Sequence, residues 1–307
     1  MIIQPETKEK RQQYLLEELE NCRFKKLSPI NAFSWVIVLF LYAPIGFCLI
    51  GLRVSTLLFY LFLCFTILPK KWRYQIAIQI LLPVLGLKHQ IKQIENPTNT
   101  LKDRPFIMVC NHISYYDSLM IKLVYNNIGV KKFSLIAATM LGGKVQFKLL
   151  EHINFIEKLI FTKGAQASKK EKEKTRSEII NILNHKNNPE WLPILVFPEG
   201  QVHSCNKFLL RYEKFCFGLN VPVLPVAGRL NNPWPVNLWR IQEYPIVSTF
   251  WFLFVPWVRW DFKILPLHNI EPNETASMFA QRIQKLTAME LDLDTSDYTL
   301  YDFSELL

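Results

Sequence analysis

The sequence predicts an α/β domain preceded by a membrane-embedded helical hairpin. Three observations carry this. The 37-residue run from Ala32 to Leu68 holds a single charge, Arg53. From about residue 104, short apolar runs alternate with helical stretches, the pattern of an α/β domain. Hydrophobic residues make up 50% of the 307, which excludes a disordered chain. With 10 Gly and 18 Pro, a collagen-like repeat is excluded as well.

Residues 1–31 form a basic N-terminal arm. Within it, 6–27 reads as a short surface helix whose apolar positions are Tyr14, Leu15, Leu16 and Leu19. The apolar run at 32–68 follows. A helix crosses ~30 Å of hydrocarbon in about 20 residues, so the run is too long for one ordinary span and marginal for two. Pro44, Gly46, Gly51 and Arg53 interrupt it. Arg23, Lys25 and Lys26 precede it, and Lys70, Lys71 and Arg73 follow. Cytoplasmic flanks carry the Lys/Arg excess, so both ends are expected in the cytosol. A re-entrant hairpin satisfies length, breakers and charge together. A single tilted span is the main competitor.

Residues 69–289 make the α/β domain. Ile76–Leu87, broken at Pro83 and Gly86, is too short to span and suits the membrane interface. Phe106–Cys110, Phe133–Ala138, Leu192–Phe197 and Val221–Ala227 read as buried strands; 115–125, 142–151, 166–185 and 272–291 read as helices. The 166–185 helix opens with five basic residues, Lys169 to Arg176, interleaved with Glu. That pattern suits a solvated face. Ile246–Val258 is rich in aromatics and reads equally as core or as a membrane-interface element. The tail, 290–307, is acidic and expected to be mobile.

Six cysteines, at 22, 48, 64, 110, 205 and 216, form no C-x-x-C pair, which argues against a zinc framework or a secreted disulfide scaffold. The net charge of +10 suits an anionic partner. The basic residues are not organised around a nucleic-acid motif, so no nucleic-acid partner is expected.

Two short elements carry reactive side chains. The first follows the strand ending at Cys110: Asn111-His112-Ile113-Ser114-Tyr115-Tyr116-Asp117. His112 and Asp117 would point about 140° apart on one continuous helix. They meet if His112 lies on the loop and Asp117 in the first helical turn. The carboxylate then orients the imidazole and leaves one nitrogen free as a general base. Ser114-x-x-Asp117 also reads as an ordinary capping box. The second is Phe197-Pro198-Glu199-Gly200, which presents a carboxylate past a strand's C-terminal end, where α/β proteins bind ligands. A third element, Val221-Pro222-Val223-Leu224-Pro225-Val226, is expected to be an edge strand or irregular wall, because Pro cannot complete a ladder.

In this order the three elements resemble the motifs of the glycerophospholipid acyltransferase family: N-H-x4-D, F-P-E-G and V-P-[VIL]-x-P-V. The resemblance implies a glycerolipid acyltransferase-like domain with a mixed sheet and surrounding helices. It implies that His112 deprotonates an acceptor hydroxyl, that Asp117 supports it, and that acyl-CoA enters as co-substrate with no metal or other cofactor. Asn111, Phe197, Pro198, Glu199 and Gly200 would bind the phosphorylated acceptor. The family's G-x-x-F-I-x-R motif has as its counterpart His152 to Lys158, without the Gly and with Lys for Arg. Gln201-Val202 stands where Thr-Arg often follows F-P-E-G. Lys158, Lys207 and Arg211 are candidate replacements for the missing phosphate-binding Arg.

Ala43-Pro44-x-Gly46-x-Cys48-Leu49-x-Gly51-Leu52-Arg53, Phe254-Val255-Pro256-x-Val258-Arg259-Trp260 and Phe279-Ala280-x-Arg282-Ile283-Gln284 are further similar to the ancient ubiquitous protein family. That likeness implies anchoring at the cytosolic face of the endoplasmic reticulum membrane and the lipid droplet surface, with ubiquitin-pathway partners. The family's ubiquitin-binding CUE domain has no residues here to rest on. Two functions follow as expectations: an acyl-CoA-dependent transferase acting on a lysophospholipid, or a non-catalytic scaffold built on the same fold.

Overall fold

The computed structural model describes residues 29–93, 101, 105–138, 148–149, 151–153, 156–162, 168–184, 191–200, 202, 207–238 and 245–299. The 6–27 helix and most of the 142–151 helix lie outside these residues. A seven-stranded mixed sheet organises the domain: β1 (Leu87–Gln93), β2 (Ile107–Cys110), β3 (Ser134–Ala138), β4 (Lys158–Thr162), β5 (Ile194–Val196), β7 (Val223–Asn231) and β8 (Val258–Ile264). Their order is β1-β8-β7-β2-β5-β3-β4. The five strands from β7 to β4 run parallel. β8 runs antiparallel to β7, and β1 parallel to β8. A small ladder joins β6 (Phe208–Leu209) to β9 (Asp294–Thr295).

The helices are α1 (Pro29–Thr66), α2 (Lys70–Ile76), α3 (Leu82–Val84), α4 (Asp117–Asn127), α5 (Lys169–Leu183), α6 (Pro245–Phe254) and α7 (Ala276–Leu291). A π-turn, Ala77–Leu81, joins α2 to α3. Successive side chains of a strand point to opposite faces. Phe106, Met108 and Cys110 therefore enter a core shared with Met120, Val124, Phe252 and Trp260. Ile107 and Val109 enter a second core with Ile179, Phe279 and Ile283. Burial on both faces explains why β2 reads as an uninterrupted apolar run.

The V-P-x-x-P-V strand is interior, not an edge. β7 lies between β2 and β8. Pro225 C=O accepts from Leu265 N–H at 3.0 Å, so its missing N–H also faces the β8 side, one step past the Val226–Ile264 pair where that ladder ends. The proline costs one hydrogen bond at a ladder terminus, where the loss is smallest.

Over 32–68 the expected hairpin is replaced by one uninterrupted helix, α1, long and apolar enough to cross a membrane. The features read as breakers have other uses. Pro44 falls on the exposed side. Gly46 makes room for a ring: a Cβ there would lie 2.3 Å from Phe254 Cε2. Flanked by Ala43, Ile50, Leu57, Leu61 and Cys64, the less exposed positions include a seam: Trp35, Leu39, Tyr42, Gly46, Leu49, Arg53, Thr56, Tyr60 and Leu63. Their spacing alternates four and three, the 3.5-residue repeat of a helix packed along its length. At 1.5 Å per residue this seam runs about 42 Å. Trp35 packs on Trp234, Tyr42 on Phe254, and Phe65 on His152. Tyr60 Oη donates to Arg73 O.

Arg53, 2% exposed, sits mid-seam with no carboxylate partner among the described residues. Its Nη1 donates to Leu253 O and Val255 O at 2.6 Å each, its Nη2 to Pro256 O at 2.6 Å, and its Nε to Val84 O at 3.4 Å. These carbonyls cluster at the C-terminal end of α6 and beside α3. Helix ends leave such acceptors unpaired and favour a cation. Gly86, at φ +71, completes the pocket: a Cβ would stand 2.3 Å from Arg53 Nη2.

The acidic tail is held in place as far as residue 299, contrary to the mobility expected of it. Gln284, buried on α7, donates to the carbonyls of Leu209, Leu210 and Ser296. Arg211 N–H donates to Tyr298 O. Backbone pairing, to which side-chain charge is indifferent, does the holding.

Lys122 on α4 is buried. Its Nζ donates to Lys131 O and lies 5.2 Å from the Tyr74 ring and 5.5 Å from Phe133. Burial pulls its pKa down to about 8, opposed by Glu157 and assisted by Lys132. An unfolded lysine titrates near 10.4. Between about pH 8 and 10.4 the unfolded chain holds a proton that the folded one has lost, so stability rises with pH across that window. Two to three pKa units correspond to about 3 kcal/mol. Melting curves from pH 7.5 to 10 should show this rise in the wild type and a flatter profile in Lys122→Met.

Candidate active site

The C-terminal ends of β2 and β5 define the site. β2 stops at Cys110 because the next residue turns its side chain into the sheet as a backbone substitute. Asn111 Nδ2 donates to Gly228 O at 2.9 Å, and its Oδ1 accepts Gly228 N–H at 2.7 Å. A side chain at Gly228 would crowd the neighbouring ring, since a Cβ would stand 3.2 Å from Phe262. Asn111 is buried and spent on this pairing. It aims the loop and does not face an acceptor, contrary to its expected binding role.

His112 comes next, and its Nδ1 lies 3.0 Å from Asp117 Oδ2. The same oxygen accepts the N–H groups of Ile113 at 2.7 Å and Ser114 at 2.8 Å. Asp117 Oδ1 accepts Trp260 Nε1–H at 3.0 Å. The carboxylate is buried, yet four donors surround it, which offsets the cost of burying the charge. Its bonds to the two amides fold the loop into the first turn of α4. The helix-start role and the imidazole-orienting role therefore belong to one side chain. An ionised carboxylate only accepts, so Nδ1 carries the ring proton and Nε2 is left with a free lone pair. The His112 side chain is 18% exposed.

Phe197 stacks on the imidazole at 4.1 Å between centroids and 14° between planes. The turn after it closes through Gly200 N–H to Phe197 O at 3.1 Å. Gly200 takes φ +73, with open space where a Cβ would stand. Glu199 is turned inward. Its Oε2 accepts His112 N–H at 2.7 Å and its Oε1 accepts Leu210 N–H at 3.1 Å. It was expected to clamp an acceptor; it clamps the backbone under the base. Pro198 O accepts Glu213 N–H at 2.8 Å, tying the same turn to the following segment.

The basic replacements divide. Arg211 is exposed, one residue beyond the Leu210 amide that Glu199 holds. Lys158 is not brought to the site. It begins β4, level with Ser134 at the N-terminal end of β3, whereas His112 follows the C-terminal end of β2. Its Nζ is paired with Glu178 at 3.0 Å. Lys207 is exposed just before β6.

Cys110, beside the base, is no nucleophile. Burial, then Asp117 and Glu199, push its thiol well above the usual range. Trp260 belongs to the site and was absent from the expected residues. A signal for it existed in the alternation Val258-Arg259-Trp260-Asp261-Phe262-Lys263-Ile264. That pattern buries the indole, and a buried indole N–H needs an acceptor.

Comparison with known proteins gives the following similarities. Residues 91–228 match the family model described as Acyltransferase. The lipid droplet-regulating VLDL assembly factor AUP1 of Danio rerio is 27% identical over 277 residues, 88% of this chain and 58% of that protein. AUP1 of Xenopus tropicalis is 25% identical over 273 residues, 89% of this chain and 61% of that protein. The chain thus spans about three-fifths of these relatives' length. A lysophosphatidylcholine acyltransferase of Drosophila melanogaster is 22% identical over 206 residues, 66% of this chain and 36% of that protein. The crystal structure of the 1-acyl-sn-glycerophosphate acyltransferase PlsC from Thermotoga maritima superposes with a TM-score of 0.50 at 17% identity, over 80% of this chain and 96% of that one, and has the same fold.

Proposed function

We propose that this chain, which carries an acyltransferase-family domain over residues 91–228, transfers an acyl group from acyl-CoA to the hydroxyl of a lysophospholipid at a membrane surface. The observation that carries this reading is the His112–Asp117 pair, with Nδ1 bound to the carboxylate and Nε2 without a protein partner among the described residues. Nε2 takes the hydroxyl proton as the oxygen attacks the thioester carbonyl. The new C–O bond forms, the C–S bond breaks, and the departing thiolate recovers the proton from the imidazolium. Asp117 stabilises that imidazolium while it lasts. Arg211 offers a guanidinium to the acceptor phosphate.

A second reading, a non-catalytic scaffold of lipid droplets and the endoplasmic reticulum, is favoured by the AUP1 relatives and by Lys158 lying away from the site. The assay that separates the readings is thiol release from acyl-CoA by purified protein in mixed micelles, with several lysophospholipids. Release that depends on the acceptor and disappears in His112→Ala supports the enzyme. Absence of release with every acceptor supports the scaffold.

A further inference from the structure

We propose that α6 is a second lipid-contacting element, and that it shares with α1 one continuous surface fitted to the acyl-chain region of a phospholipid leaflet. The sequence of α6, PIVSTFWFLF, is apolar except at Ser248 and Thr249. A helix of that kind is either buried or immersed in lipid, and α6 is half of each. Its inner side, with Ser248 and Phe252, is buried in the domain, and Phe254 is buried against α1. Its outer side, Ile246, Val247 and Phe250, is open, with Ile246 77% exposed. At ten residues, about 15 Å, it is too short to cross a bilayer.

Continuity with α1 identifies the occupant. Phe250 lies 6.3 Å from Phe47, and Phe254 lies 5.7 Å from Phe47 and 5.4 Å from Tyr42. Phe47 and Phe40 stand on the open side of α1, Phe40 80% exposed. Arg53 locks the two helices together by binding the end of α6. Whatever solvates the outer face of α1 therefore also meets the outer face of α6. Because the protein backs α1 along its whole seam, this surface is a side of the domain and not a stalk.

The inner side of the same helix reaches the site. Thr249 on α6 is 3.3 Å from Tyr116 Oη, and Phe252 stacks near Tyr116 at 4.5 Å; both contacts fall on the loop that presents His112. Resting on the acyltransferase reading, this places the base at the leaflet boundary, where an acceptor keeps its acyl chain in lipid while its hydroxyl reaches Nε2.

The test uses the full chain in phosphatidylcholine vesicles, with the photoreactive residue p-benzoylphenylalanine placed singly at 40, 246, 250 or 289. Met289, 75% exposed on α7, is the reference outside the surface. Irradiation is expected to attach acyl chains at 40, 246 and 250 and not at 289. Labelling at 40 without 246 and 250 overturns the proposal and leaves the acyltransferase reading, tested by thiol release, untouched. Equal labelling at 289, or none at 40, overturns it too. As an independent measure, Ile246→Asp with Phe250→Asp should weaken vesicle partitioning at least tenfold with unchanged circular dichroism. Unchanged partitioning overturns the proposal.

Discussion

In the acyltransferase reading, His112→Ala is expected to lower kcat by ~10²–10⁴-fold, the usual worth of a positioned general base. The fold should survive it. The backbone N–H of residue 112 keeps its bond to Glu199, and Asp117 keeps the Ile113, Ser114 and Trp260 donors. A loss of activity without a loss of Tm is therefore the signature of the base. Asp117→Asn should behave differently. Every neighbour of that carboxylate donates, so an amide NH2 on either side must face an N–H. Placed toward Trp260 it sacrifices one bond; placed toward the loop it sacrifices three. The first arrangement wins, leaving His112 oriented but without the charge that steadies its imidazolium. Asp117→Asn should thus lose activity and about 1–3 kcal/mol of stability. Adding Trp260→Phe removes the opposed N–H, and the double variant should cost less than the sum of the two single changes. Thermal melts and kcat of all four proteins check both statements.

Arg53→Leu is expected to be the most destabilising single change in the helical layer, at about 3–5 kcal/mol. It strands the carbonyls of Val84, Leu253, Val255 and Pro256 in a largely buried pocket, and each buried unpaired acceptor costs about 1–3 kcal/mol. Arg53→Lys should recover only part of the loss, because an ammonium offers three donors from one point where the guanidinium spreads five over a plane. Gly86→Ala attacks the same pocket from the opposite wall and should cost comparably, from the positive φ and from the contact with Arg53 Nη2. The two sites share a partner, so their effects should not add. Denaturant melts in detergent measure the series.

Four of the five parallel strands were legible because strands buried on both faces must be apolar throughout, as Ile107–Cys110 and Ile194–Val196 are; β4, Lys158–Thr162, which opens on a charged residue, was not. β1 was not legible. It lies on the sheet's edge, and Leu87-Lys88-His89-Gln90-Ile91-Lys92-Gln93 carries a polar outer surface. β8 alternates plainly, yet the aromatic run before it merges helix and strand into one apolar block. His112 and Asp117 were legible as a pair because their roles are local, five residues apart. Glu199 and Asn111 were legible as positions and not as roles. Only the fold shows that their polar atoms turn inward, to the amides at 112 and 210 and to Gly228. For α1 the composition spoke for a membrane but the spacing spoke for a packed seam. Trp35, Tyr42, Arg53 and Tyr60, which carry polar atoms into the apolar run, all fall on one 3.5-residue stripe.

The pocket around Arg53 imposes a chronology on biosynthesis. The acceptors at Leu253 and Val255 lie 200 and 202 residues downstream. At ~5–20 residues per second, a ribosome takes about 10–40 s to deliver them after Arg53 has been made. Through that interval the guanidinium has no carbonyls to bind, and sinking it into hydrocarbon costs about 2.5–3.5 kcal/mol. Once α6 has formed, the same charge lies sheathed inside protein and adds nothing to the cost of immersion. On the reading that α1 lies in lipid, the nascent helix is held near the headgroups by its own arginine, and its full seating awaits completion of the domain that it will serve.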